Sequence, residues 1–145
     1  MPAFNKFNQF VEDVAAGVHN LKTGTTHVFK VMLTNTAPVA TNSIKSDITE
    51  LSAGSGYTAG GNTATFTSGA QTSGTFKLTL ADPATWTNSG TLGPFRYAVL
   101  YNDTPTSPLK PLIGWVDYGS SITITVVGET FTVDLDQTNG VLTIT

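Results

Sequence analysis

From His27 onward the chain alternates apolar with polar residues at a spacing of two, in short runs broken by Gly, Pro and Asn-Gly steps. A period of two puts every other side chain on one face of a pleated strand and is incompatible with a helical stripe. The runs VFKVMLTN, NTATFTS, TFKLTLA, FRYAVLYN, PLIGWVDYG, ITITVV, TFTVDL and VLTIT predict about eight short strands at fairly even spacing. Val28, Val31 and Leu33 mark the first run, and Phe76, Leu78 and Leu80 mark one face of the third. In FRYAVLYN, Phe95, Tyr97, Val99 and Tyr101 alternate with Ala98 and Leu100, as expected of a strand buried on both sides. Gly114 predicts a bulge or a close approach of two backbones. Turns at Gly128-Glu129 and Asn139-Gly140 predict a C-terminal meander. The expected fold is mainly β, a single-domain antiparallel β-sandwich or barrel with a short N-terminal helix.

That helix comes from the first segment. Phe7, Phe10, Val11 and Val14 follow helical spacing, which predicts a helix over Lys6 to Ala16, with Asn5 as cap, Glu12 and Asp13 outward and Gly17 as stop. Residues 1–22 are therefore read as a helical segment or arm and 23–145 as the β-sandwich domain. The segment either covers an open end of the sheets or lies on a neighbouring subunit. SDITEL predicts a single capped turn beginning near Ser46. The glycines of AGSGYTAGG predict a loop that lets another backbone come close.

At 145 residues the chain suits one hydrophobic core. Charged residues make up only 12% and the formal charge is −3, so hydroxyls and amides supply most of the polarity. Seven basic residues spread from Lys6 to Lys110 form no stripe for a phosphate backbone, and no nucleic-acid partner is expected. No apolar run is long enough to span a bilayer, and the first residues lack the pattern of a secretory signal. The absence of cysteine excludes disulfides and thiolate metal sites and fits synthesis in a reducing cytoplasm.

No catalytic, cofactor-binding or metal-ligating residue stands out. His19 and His27 lie eight apart across a Lys-Thr-Gly loop with no carboxylate between them, and their simplest role is structural hydrogen bonding. Neither GSG at Gly54 to Gly56 nor YGSS at Tyr118 to Ser121 has the spacing of a nucleophile elbow. GYTAGGN lacks the lysine and following helix of a phosphate loop. Asp134, Asp136 and Asn139 partly match a calcium loop but lack its closing acid, leaving a turn as the default. Aromatics are expected mainly in the core. Phe4, Phe7, Phe10, Tyr57 and Trp86 are the candidate interface residues, Trp86 because it falls in a connection and is expected to be exposed.

The stretches FVEDVAAGVHNLKT, LTNTAP, GYTAGGN, FRYAVLYND and PLIGWVDYGSSITITVVGETFTVDL together resemble a group of small tailed-phage virion structural proteins, over nearly the whole chain. The resemblance implies a particle component without enzymatic activity, first of all a capsid decoration (cement) protein on the capsid surface. Its partners would be the phage major capsid protein and copies of itself as a homo-oligomer, with no membrane partner. A tail or head–tail junction protein is the alternative within that class. The aromatics also raise a carbohydrate-binding adhesion module.

Overall fold

The computed structural model describes residues 2–22 and 26–145. Part of the Lys-Thr-Gly link between the histidines lies outside them. In chain order the elements are β1 (Phe4–Lys6), α1 (Asn8–Ala15), β2 (Phe29–Thr34), a 3-10 turn (Lys45–Asp47), β3 (Asn62–Thr63), β4 (Phe66–Thr72), β5 (Thr75–Leu80), β6 (Trp86–Thr87), β7 (Leu92–Asn102), β8 (Leu112–Ile124), β9 (Thr130–Phe131) and β10 (Leu142–Ile144). The strands form a five-stranded sheet in the order β1-β8-β7-β2-β3, a three-stranded sheet β10-β5-β4 and a pair β6-β9. Every pairing between them is antiparallel. The expected mainly β, sandwich-like single domain with one short N-terminal helix is what forms.

The five-stranded sheet is covered on both faces. Toward the other sheets, Phe29, Val31 and Leu33 of β2, Ala98 and Leu100 of β7, and Ile113 and Val116 of β8 pack with Leu78, Leu80, Trp86 and Leu142. On the opposite face Met32, Val99, Tyr101 and Leu112 form a smaller core with Phe7 and Ile48. This is why β7 reads as a nearly continuous apolar run. Phe95 departs from the expected alternation and joins the main core. The cause is a bulge in β8, which runs from Asp117 to Ile122 where β7 moves only from Tyr97 back to Phe95. Gly119 takes a positive φ of 84° within that bulge, and the Asp117 carboxylate accepts its N–H at 2.7 Å.

The N-terminal segment is part of the sandwich. Residues Phe4–Lys6 are extended and pair with β8, so Asn5 is unavailable as a cap; α1 begins after Phe7, and no side chain among the described residues caps it. Phe7 and Phe10 are fully buried, whereas Val11 is 61% exposed and Asp13 is buried, reversing the expected places of those two. Gln9 donates to the Asp13 carboxylate at 3.2 Å, which offsets part of the cost of burying it. Gly114 allows the contact with β1, since a Cβ there would strike the Asn5 carbonyl and the Phe4 ring.

The C-terminal meander is replaced by two separate pairings. Gly128 and Gly140 do turn the chain, at φ 91° and 90°. However, β9 pairs with β6, and β10 pairs with β5. Buried Asn88 diverts the chain after β8: its Nδ2 donates to the Val126 carbonyl at 2.9 Å, its N–H to the Glu129 carbonyl at 2.8 Å, and its carbonyl accepts Gly128 N–H at 2.8 Å. Asp82 then receives Leu135 N–H at 2.8 Å, which leads Val133 and Leu135 into the core.

Candidate functional site

Asn102, at the end of β7, joins the two histidines. Its Oδ1 accepts Thr104 N–H at 3.2 Å, which orients the amide and leaves Nδ2 to donate to His19 Nδ1 at 3.2 Å and His27 Nδ1 at 2.8 Å. Asn20 N–H also points at His27 Nδ1, at 3.3 Å. Both rings therefore act as acceptors at Nδ1, which places the proton of neutral His19 on Nε2. Burial, with His27 alongside, lowers the His19 pKa to about 4. Its Nε2 is buried with no hydrogen-bond partner among the described residues. The arrangement ties residues 19–20 and the approach to β2 onto the end of β7, the structural role the sequence suggested.

A second polar cluster holds the glycine-rich loop. Glu50 accepts from Tyr57 Oη at 2.7 Å, from Gly60 N–H and from Lys45 Nζ at 2.7 Å. Tyr57 Oη also accepts Leu33 N–H at 3.1 Å, and Tyr101 Oη donates to the Gly60 carbonyl at 2.8 Å. Burial, reinforced by the bond to Glu50, pushes the Tyr57 hydroxyl well above its ordinary pKa. Gly61 presses on the Val31–Met32 backbone and Gly56 on the Thr87 carbonyl, so the close approach expected of this loop is made within the chain. Truncating Glu50 leaves Tyr57, Gly60 and Lys45 without their shared acceptor. Glu50→Ala is expected to lower unfolding stability by about 2 kcal/mol, measured by urea denaturation near neutral pH.

Three further acidic groups are similarly engaged. Arg96 makes a bidentate pair with Asp117 at 2.7 and 2.9 Å, and Asp103 binds Lys30 and Lys110. Asp136 accepts the N–H groups of Thr138 and Asn139 at 3.0 and 2.7 Å, so the segment weighed for calcium forms a turn. Among the described residues no group of three or more His, Cys, Asp and Glu could share a metal ion. No helix there is long and apolar enough to cross a membrane.

The candidate interface residues need correction. Phe7, Phe10, Tyr57 and Trp86 are at most 3% exposed, and only Phe4 is half-buried at the surface. Trp86 lies on β6 against Tyr57 and Phe131, with ring centroids 6.2 Å away in each case. The apolar side chains that do reach solvent include Val11, Val39, Leu109, Val126 and Val127. They stand on the helix and in connections, where residue type alone does not separate them from core positions. Comparison of the chain with protein-family models, curated proteins and solved structures finds no match.

Proposed function

We propose that the chain is a structural component of a tailed-phage virion, most directly a capsid decoration protein that binds the major capsid protein lattice. The observation that carries this reading is where the polar side chains go. His19, His27, Glu50, Asp103, Asp117 and Asp136 each hydrogen-bond or ion-pair within the chain, as suits a protein whose task is to keep its shape while making contacts. The segments that carry the phage resemblance lie in this framework: LTNTAP ends β2, GYTAGGN is the loop held by Glu50, and FRYAVLYND is the central strand. A polar, weakly charged outer surface suits wide repeated contacts with a shell. A glycan-binding role is less well supported, because Trp86 and Tyr57 are buried and offer no stacking face.

The test is to add the purified chain to particles that lack it and to count bound copies by quantitative mass spectrometry with cryo-EM. Hundreds of copies in register with the shell are expected. A ring of six or twelve copies would move the protein to the tail or junction, and no binding would overturn the virion reading.

A further inference from the structure

β1 and β10 are among the strands that have only one neighbour among the described residues. β1 pairs only with β8 and ends the five-stranded sheet, while β10 pairs only with β5 and ends the three-stranded one. They border the same cleft of about 420 Å³, with Phe4 and Lys6 on one side and Asn139 to Thr143 on the other. Among the described residues no backbone hydrogen bond closes the gap between them. A cleft of about 160 Å³ beside α1 shares Lys6 with the first, and shares Val14 and Ile144 with an apolar cleft of about 540 Å³ that Leu21 and Phe76 also wall. A free strand edge presents a row of unpaired N–H and C=O groups, and the ligand that satisfies such a row is another strand.

Charge indicates the kind of strand. Of the seven basic residues, Lys30, Lys45, Arg96 and Lys110 are in ion pairs. Lys6 and Lys22, on the walls of these clefts, have no acidic partner among the described residues. Neither does Lys77, which stands opposite Thr143 of β10 and donates to the Thr138 carbonyl at 3.0 Å. Asp136, in the turn before β10, is taken up by backbone amides. A protein of net charge −3 thus gathers its unpaired lysines around one trough. A second copy docked edge to edge across a two-fold axis would set these lysines against their own counterparts, which is unfavourable.

We propose that the slot between β1 and β10 is a strand-acceptor site for an extended segment of a partner protein in which apolar and acidic side chains alternate. The segment adds to a free edge, its apolar side chains enter the clefts, and its carboxylates meet Lys6 and Lys22. The site does not depend on the particle role proposed above.

The test titrates the isotope-labelled full chain with a short synthetic peptide alternating valine and glutamate, beside a valine–lysine peptide of equal length. Amide shifts are expected at Phe4–Lys6 and Leu142–Ile144, with affinity for the acidic peptide about tenfold above that for the basic one. Lys6→Glu with Lys22→Glu is expected to reverse that preference while leaving thermal unfolding unchanged, since both side chains are exposed. The proposal is overturned by absence of shifts at millimolar peptide, by shifts confined to other strands, or by equal binding of both peptides. It is also overturned by an unaltered preference in the double variant, or by sedimentation showing that the free chain dimerises through these edges.

Discussion

Deletion of residues 1–16 is expected to leave a chain that does not fold cooperatively. The segment straddles the margin of the five-stranded sheet: Phe7 enters the smaller core beside Tyr101 and Leu112, while Phe10 enters the main core. Phe7 packs on Trp115 with ring centroids 4.6 Å apart. Phe7 N–H binds the Ile113 carbonyl at 3.2 Å and Asn8 N–H binds the Ala40 carbonyl at 2.9 Å. Truncating one such buried phenylalanine to alanine costs about 3–5 kcal/mol, and a domain of this size has only about 5–15 kcal/mol in total. Removing both rings together with β1 opens both cores at once. Calorimetry of the truncated chain should show no sharp transition, and a hydrophobic dye should bind it. A soluble truncated chain that melts cooperatively would instead restore the segment as a detachable arm, the reading in which its loss weakens attachment more than folding.

The sequence pattern revealed strands better than it revealed their partners. β2 and β5 were legible because one face of each meets the main core, so Val31, Leu33, Leu78 and Leu80 keep period two. The face of Phe95 was hidden because the bulge that moves it lies in β8, on another stretch of chain. Gly128 and Gly140 correctly mark reversals, but a turn residue encodes a change of direction and not which strand receives the chain. That choice fell to Asn88, whose side chain captures the Val126 carbonyl. Trp86 was misplaced because its strand, Trp86–Thr87, is too short to show a period. The histidine node was legible only as two histidines, because Asn102 lies 83 and 75 residues away from them. The slot beside β10 follows from sheet order, which no local pattern records.

His19 should make the fold sensitive to mild acid. Its pKa is about 4 in the folded chain against an ordinary 6.5, because burial opposes its charge and His27 lies beside it. Between those two values the unfolded chain takes up a proton that the folded chain refuses. Stability is therefore fully present above pH 6.5, falls as pH drops toward 4, and loses nothing further from this group below that. The difference corresponds to roughly 3 kcal/mol, a large share of a small domain's stability. The carboxyls of Asp47, Asp103, Asp117 and Asp136 are held below their ordinary 3.8, so their contributions are lost only at lower pH and the two windows separate. A charged His19 would also bring an Nδ1–H against the Asn102 amide and break the link to β7. His19→Gln keeps an acceptor for Asn102 and does not titrate, so its stability should stay nearly level across the same interval. Urea unfolding at closely spaced pH values would measure both slopes. Equal slopes for the two proteins, or a His19 ring signal that titrates near 6.5 in the native state, would show that this histidine is not buried in its neutral form.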